Sequence, residues 1–198
     1  MKISLILGHP EKTSFNHAIA QTAKETLKAA GHQVFFHDLT EEQFNPVLPG
    51  IEIPREGIVD PAIQTYCDEL ADSDGIIIVH PNWWGQPPAI LKGWIDRVIR
   101  PGVAYEFSEG DGGEGVPVGL LKAKAAVVFN TSNTSTTREM TVFGDPLERI
   151  WKDCIFDLCG VTHFTRRMFN IIVTSTEEER KFWLEEVKAI TSTVFPGE

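Results

Sequence analysis

Two hydroxyl side chains, Thr13 and Ser14, stand at the end of a short loop, residues 8–16, directly before a predicted helix. The first N–H groups of a helix have no intrahelical partner, and the positive end of the helix dipole lies beside them. Such a loop is suited to holding a phosphate. A plain N-cap by Ser14, with His9 filling a turn, uses the same residues. The position of the loop after the first predicted strand favours the ligand.

Two adjacent tryptophans, Trp83 and Trp84, occupy a second loop, residues 80–88, between a predicted strand and a predicted helix. Neighbouring side chains cannot both point into one core, so at least one indole should face a cleft, where it could flank a flat ring. Tryptophans usually serve packing, and that role accounts for one of the pair. We assign Trp84 to the ring and Trp83 to its support.

A third loop, residues 130–138, combines eight small polar residues with Arg138. These side chains offer many hydrogen bonds for the polar edge of a ligand. A solvated loop has the same composition, so the segment carries weight only through its position after a strand.

A glycine-rich stretch, residues 110–115, matches the dinucleotide pattern G-x-G-x-x-G. No predicted strand precedes it and no clear helix follows it, as that fingerprint requires. Its two carboxylates, Asp111 and Glu114, would also repel a pyrophosphate. We interpret the stretch as a flexible loop or a lid.

The three ligand loops need a scaffold, and apolar runs of strand length alternate with helical periodicity along the chain. This alternation is typical of a parallel sheet covered by helices on both faces. The five predicted strands are 3–7, 34–36, 76–79, 125–129 and one within 161–173. The five predicted helices start near Ser14, Asp60, Pro87, Asp145 and Thr176.

We therefore predict a single domain, residues 1–198, with a flavodoxin-like α/β fold and the strand order 2-1-3-4-5. Ligands in such sheets bind beyond the carboxyl ends of the strands, near the switch point between strands one and three. All three candidate loops begin at that edge.

The composition excludes several classes of protein. With 198 residues, 42% of them hydrophobic, the chain can bury a sizeable core. Its formal net charge of −10 disfavours nucleic acid and anionic membrane surfaces as partners. The three cysteines form no C-x-x-C, so neither a disulfide framework nor a zinc site is indicated, and Cys154 and Cys159 are predicted to be core residues. The N-terminal apolar run is too short for a membrane span and lacks a signal-peptide pattern, so we expect a cytoplasmic protein.

Several of these motifs together resemble the flavodoxin-like NAD(P)H:quinone oxidoreductases. That family includes DT-diaphorase, the drug-activity-modulator type of quinone reductase and the ancillary subunits of bacterial potassium efflux systems. The resemblance covers essentially the whole chain. It is most specific in His9-Pro10-Glu11-Lys12-Thr13-Ser14-Phe15-Asn16, in Phe44-Asn45-Pro46, and in residues 88–98 with Ala104-Tyr105 following.

The resemblance implies a flavin site and assigns residues to it. The first loop would hold the flavin phosphates through His9, Thr13, Ser14, Phe15 and Asn16. The second would lie along the isoalloxazine through Pro81, Asn82, Trp83, Trp84 and Gly85. The third would touch the pyrimidine edge through Asn130, Thr131, Ser132 and Asn133, where the family usually has Thr-Thr-Gly-Gly. FAD is favoured over FMN because the first loop is more similar to that of the FAD-binding members.

The chain departs from the family at the catalytic pair. DT-diaphorase-like members place a tyrosine and a histidine after the third loop, whereas this chain has neither between Thr131 and Gly160, and Phe143 stands at the histidine's place. We expect Arg138 to substitute electrostatically, since it is the cation that follows the loop at the flavin edge.

The resemblance also implies a homodimer with shared active sites. The segment after the third helix crosses to the partner in the family, and Tyr105 would close the neighbouring pocket here. Tyr105 and Phe107 stand two residues apart and project to one side of an extended segment. Packing of this pair against the same chain's glycine-rich loop is the alternative.

We interpret the chain as an NAD(P)H dehydrogenase that passes hydride through FAD, or alternatively FMN, to a quinone by a ping-pong mechanism. A flavin-binding regulatory subunit of a membrane transport system, with little turnover of its own, is the alternative function. A one-electron flavodoxin and a response regulator share the fold. A flavodoxin would need a glycine-rich phosphate loop after strand one, which this chain lacks. A response regulator would need an aspartate at the end of strand three, where this chain has His80 and Pro81.

Overall fold

A five-stranded parallel sheet forms the centre of the computed structural model, which describes residues 1–54, 57–108, 110 and 114–197. Its strands lie in the order β2-β1-β3-β6-β7. They are β1 (Lys2–Leu7), β2 (Gln33–Asp38), β3 (Gly75–Pro81), β6 (Ala125–Ser132) and β7 (His163–Asn170). The predicted flavodoxin-like fold and strand order are confirmed, and only the labels of the last two strands differ. Two further strands, β4 (Tyr105–Glu106) and β5 (Val118–Gly119), form a short antiparallel pair that sequence patterns did not predict.

Helices cover both faces of the sheet. They are α1 (Phe15–Ala29), α2 (Pro61–Asp72), α3 (Ala89–Val98), α4 (Thr136–Thr141), α5 (Pro146–Arg149) and α6 (Glu177–Val194). Helices α1 and α6 pack on one face of the sheet, while α2 and α3 pack on the other. Each central strand therefore buries side chains on both faces, which explains the unbroken apolar run over residues 76–79 of β3.

The predicted helix starts at Asp60 and Thr176 are confirmed by the capping hydrogen bonds of these residues. Asp60 Oδ1 accepts a hydrogen bond from the N–H of Ala62 at 2.8 Å, and Pro61 opens α2. At α6, Thr176 Oγ1 accepts from the Glu179 N–H while Glu179 Oε2 accepts from the Thr176 N–H, which completes a capping box.

The predicted fourth helix is only partly regular. Its first turn is α5, and it continues as a π-helix over Ile150–Phe156. The wider turn changes which side chains face the sheet: Trp151 and Ile155 are buried, whereas Cys154 is exposed. The prediction of Cys154 as a core residue is therefore wrong, while Cys159 is buried as predicted.

The glycine-rich stretch 110–115 lies partly outside the described residues, because residues 111–113 are not among them. The interpretation of this stretch as a loop or lid consequently stays a prediction. None of the helices in the described ranges is long and apolar enough to cross a membrane.

Candidate functional site

The three candidate loops meet at the carboxyl edge of the sheet, where they surround a cavity of about 770 Å³. We call it the central cavity. It lies within the usual size range of small-molecule sites, roughly 300–1,000 Å³. Its lining consists of His9, Ser14, Phe15, Asn16, Pro81, Asn82, Trp83, Trp84, Gly85, Thr131, Ser132, Asn133, Thr134, Arg138, Glu139, Phe143, Pro146 and Ile172.

The first loop reaches the central cavity through the start of α1. Ser14 caps the helix, and its Oγ accepts a hydrogen bond from the N–H of His17 at 3.4 Å. Asn16 is buried and its Nδ2 donates to Thr131 Oγ1 at 3.0 Å. That bond ties the first loop to the third across 115 residues of sequence.

His9 extends the same loop and is held in one tautomer. Its Nδ1 accepts a hydrogen bond from the N–H of Glu11 at 3.0 Å. Burial lowers the pKa of His9, so the ring is neutral at pH 7 and its proton lies on Nε2. The His9 ring lies 6.0 Å from the indole of Trp83, centroid to centroid. The first loop therefore offers a hydrogen-bond donor next to an aromatic surface.

The second loop folds into a tight turn at the cavity wall. Trp83 and Gln86 exchange two backbone hydrogen bonds, of 3.1 and 3.0 Å. The two residues between them, Trp84 and Gly85, have φ values of 59° and 72°. Positive φ at both central positions is the geometry of a type I′ turn and is rare for a tryptophan. The turn leaves Trp84 fully exposed and Trp83 45% exposed. Both indoles line the cavity, as the sequence required of at least one.

The third segment is not the continuous loop that its composition suggested. Asn130, Thr131 and Ser132 belong to β6, and α4 follows from Thr136. The prediction of a loop over 130–138 is therefore wrong at both ends. Ser135 starts the helix because its Oγ accepts from the Arg138 N–H at 3.3 Å.

Glu139 is a cavity residue that sequence reasoning missed. It is 1% exposed, and its Oε1 accepts a hydrogen bond from Asn82 Nδ2 at 3.0 Å. The Oδ1 of Asn82 in turn accepts from the Gly85 N–H at 3.0 Å. Glu139 thereby joins α4 to the turn over residues 83–86, which we call the tryptophan turn. A helical spacing from the Ser135 cap could have indicated that Glu139 faces inward, had α4 been predicted.

Three predicted site residues do not line the central cavity. Thr13 lines a neighbouring cavity instead. Asn130 is fully buried within β6, where its Oδ1 accepts from Arg166 Nε at 2.9 Å. Tyr105 lies in β4 and packs edge-to-face on Phe107, with ring centroids 5.8 Å apart. Arg138, the other predicted catalytic residue, does line the central cavity, and its Cζ lies 5.2 Å from the Phe143 ring centroid.

A smaller polar cavity of about 280 Å³ lies beside the end of β7. Its lining is Ser135, Thr136, Asn170, Ile171, Thr174, Ser175, Glu179 and Trp183. Trp183 lies 5.8 Å from Phe15, ring centroid to ring centroid, and Phe15 lines the central cavity. The polar cavity and the central cavity therefore share an aromatic boundary.

Comparisons with known proteins agree with this architecture. Residues 1–190 match the model of the Flavodoxin_2 family, which is described by its flavodoxin-like fold. An NAD(P)H oxidoreductase of Haemophilus influenzae is 35% identical over 186 residues, which cover 91% of this chain and 89% of its own length. Rat NAD(P)H dehydrogenase [quinone] 1 is 33% identical over 123 residues, 52% of this chain and 45% of the rat protein. The structure of an NAD(P)H:quinone oxidoreductase from Methanothermobacter marburgensis has the same fold, with a TM-score of 0.84 at 21% identity over 100% of this chain and 98% of that one.

Proposed function

Because the chain belongs to the flavodoxin-like family of NAD(P)H:quinone oxidoreductases, we propose that it transfers hydride from NAD(P)H through a bound flavin to a quinone or a similar acceptor. The observation that carries this proposal is the central cavity, which combines a helix start and hydroxyl groups with two exposed indoles. One part suits a phosphate and the other suits a flat ring.

The residues of the central cavity fit a flavin by the chemistry of their donors. A flavin nucleotide needs anion donors at its phosphate, an apolar surface along its ring and hydrogen bonds at its pyrimidine edge. The start of α1 with Ser14 supplies the first, and the indoles of Trp83 and Trp84 supply the second. Thr131 and Ser132, at the end of β6, supply the third.

When bound, a flavin would supply the hydride-transfer chemistry between NAD(P)H and an acceptor that uses the same pocket in turn, in a ping-pong sequence. The protein would bind the flavin and orient its ring. Ser14 and the N–H groups of the first turn of α1 would hold the phosphate, and the indoles of Trp83 and Trp84 would lie along the ring. Arg138 places a positive charge beside the cavity, where it favours a negatively charged ring.

We propose FAD as the flavin in preference to FMN. The polar cavity beside β7 adjoins the central cavity through Phe15 and Trp183. Hydroxyl and amide side chains line it, together with the Glu179 carboxylate that caps α6. The AMP half, which FAD has and FMN lacks, would use such donors. A titration with both flavins, followed by quenching of flavin fluorescence, should give the lower Kd for FAD.

We further propose a homodimer in which Tyr105 closes the partner's central cavity. Within its own chain Tyr105 is half-buried in the β4–β5 pair and lies outside the cavity. Two exposed apolar side chains, Trp84 and Phe143, line the cavity, and the exposed Met140 and Val142 lie close to Phe143 in sequence. An isologous interface would cover such a surface on both copies.

Purified protein tests the function directly. We expect one flavin per chain and steady quinone reduction with NADH or NADPH. Tight flavin binding with negligible turnover would instead favour a regulatory subunit of a membrane transport system. Absence of flavin binding would contradict both functions.

A further inference from the structure

Ser14, His17 and Asp38 form a chain of hydrogen bonds that leads away from the central cavity. Ser14 Oγ lies 3.0 Å from His17 Nδ1, and His17 Nε2 lies 2.9 Å from Asp38 Oδ2. Asp38 ends β2 and is buried, and its other oxygen, Oδ1, accepts from the N–H groups of Thr40 and Glu41 at 3.1 Å each. The carboxylate of Asp38 is thus fixed on the far side of the imidazole.

This hydrogen-bonded chain separates two cavities. Ser14 lines the central cavity and also a side cavity of about 560 Å³, which His17 and Asp38 line with it. The flavin phosphate of the proposed function would meet only the Ser14 end. The His17 side chain lies on the side of Ser14 away from the central cavity and is 17% exposed.

Other charged groups surround His17 on each element that packs near it. The ring of His9 lies 6.1 Å away, in the same loop as Glu11 and Lys12. Lys12 Nζ is paired with Glu41 Oε1 at 2.8 Å, and Lys24 lines the side cavity one turn beyond Gln21. The Asp38 carboxylate is the one acid in direct contact with the His17 ring among the described residues.

The single hydroxyl proton of Ser14 makes phosphate binding and His17 protonation interdependent. Asp38 can only accept, so the ring proton of neutral His17 lies on Nε2 and the Nδ1 lone pair faces Ser14. The hydroxyl proton then points at Nδ1 and is not available to a phosphate. If the hydroxyl turns to a phosphate, two lone pairs face each other across 3.0 Å unless Nδ1 gains a proton.

We propose that His17 is a positioning residue that takes up a proton when a phosphate binds at Ser14. The resulting imidazolium donates to Ser14 Oγ through Nδ1 and to Asp38 through Nε2, and its charge stands behind the phosphate. This inference rests on the proposed flavin function. It predicts that flavin nucleotides bind more tightly at low pH, because the bound state holds one more proton than the free state.

The test is a pH series of flavin titrations on the full chain. Between pH 6 and pH 8 the Kd of FAD should rise by about tenfold, the change that one unit of difference in protonation midpoint produces. Riboflavin lacks a phosphate, so its Kd should not follow this dependence. Calorimetry in buffers of different ionisation enthalpy should show proton uptake with FAD and none with riboflavin.

Two variants separate this role from a structural one. In Asp38→Asn the amide can donate to His17 Nε2, which moves the ring proton to Nδ1 and frees the Ser14 hydroxyl without proton uptake. The pH dependence of FAD binding should therefore disappear in Asp38→Asn, although binding persists. It should persist in the control His163→Gln at the opposite edge of the sheet. His9→Gln removes the other histidine near the phosphate site, and loss of the pH dependence in that variant would assign the proton uptake to His9 and overturn the inference.

NMR of the histidine ring provides a readout that does not depend on turnover. Addition of FAD should raise the titration midpoint of His17 and leave that of His163 unchanged. An unchanged His17 midpoint, or an equal pH dependence with riboflavin, would overturn the inference while the flavin function stands. Failure of every flavin to bind at any pH would overturn both.

Discussion

Glu139 Oε1 accepts a hydrogen bond from Asn82 Nδ2 at 3.0 Å, and this bond joins α4 to the tryptophan turn. The two residues are 57 positions apart in sequence. The Oδ1 of Asn82 also accepts a hydrogen bond from the Gly85 N–H, and the backbone N–H of Asn82 donates to the Thr131 carbonyl at 2.7 Å. Asn82 thus connects three of the segments that surround the central cavity.

Replacing Glu139 with alanine should loosen this connection. The Asn82 amide would lose its acceptor, which should lower the free energy of unfolding by about 1 kcal/mol, since water reaches this part-buried bond. FAD binding should weaken as well, because the turn that carries Trp83 and Trp84 loses its bond to α4. Urea unfolding and FAD titration measure the two effects. Glu139→Gln keeps an acceptor oxygen and should resemble the wild type, so equal losses in both variants would contradict a role for this bond.

Arg138→Gln should lower the midpoint potential of the bound flavin and slow its reduction by NAD(P)H. The guanidinium lines the central cavity, and a positive charge there stabilises the negative charge of a reduced ring. Potentiometric titration and stopped-flow absorbance measure these quantities. Lys188→Gln removes an exposed charge on α6 and serves as the control. If Arg138→Gln matches that control, Arg138 is a solvated charge.

The pair Asn16 and Thr131 should show coupling in FAD binding. Each single alanine variant breaks the same buried hydrogen bond, so the double variant should lose less than the sum of the two. We expect a loss of about 1.5–3 kcal/mol in FAD binding for Asn16→Ala if its amide serves a charged phosphate. Fluorescence titration of the four proteins gives the cycle. Additive losses would show that the two residues act independently.

Tyr105→Ala should weaken acceptor binding more than flavin binding if Tyr105 closes the partner's cavity. Sedimentation should show a dimer at micromolar concentration for the wild type. Steady-state kinetics should give a raised KM for the quinone with an unchanged Kd for FAD. Phe182→Ala, which removes an exposed ring on α6, is the matched control. A fully active monomer would refute the shared site.

His80 should make the protein less stable as the pH falls. Burial lowers the pKa of His80 to about 4, and its ring accepts from Trp151 Nε1 while donating to the Pro81 carbonyl. The unfolded chain protonates His80 near pH 6.5, so the stabilisation is present above that pH and is lost as the pH falls toward 4. The loss amounts to about 3 kcal/mol. Urea unfolding between pH 7 and pH 4 checks it, and His80→Phe should flatten the curve where His163→Gln does not.

The sequence by itself determined the scaffold. Apolar runs such as β3 and stripes such as Ile19, Ala23 and Leu27 on α1 predict their elements because strand and helix periods are local properties. Asp60 and Thr176 start α2 and α6 through hydrogen-bond partners two and three residues away. Because the elements alternate, the sheet order and the edge that carries the loops followed from the same pattern.

Only the tertiary structure decided which side chains meet at that edge. Thr13 and Ser14 are neighbours in sequence and both line the side cavity, yet only Ser14 also lines the central cavity. Glu139 lies within a segment whose composition indicated a loop, and its partner Asn82 comes from another strand end. Contacts over 57 or 115 residues depend on how separate strands and helices pack together, and no local periodicity relates residues so far apart in sequence.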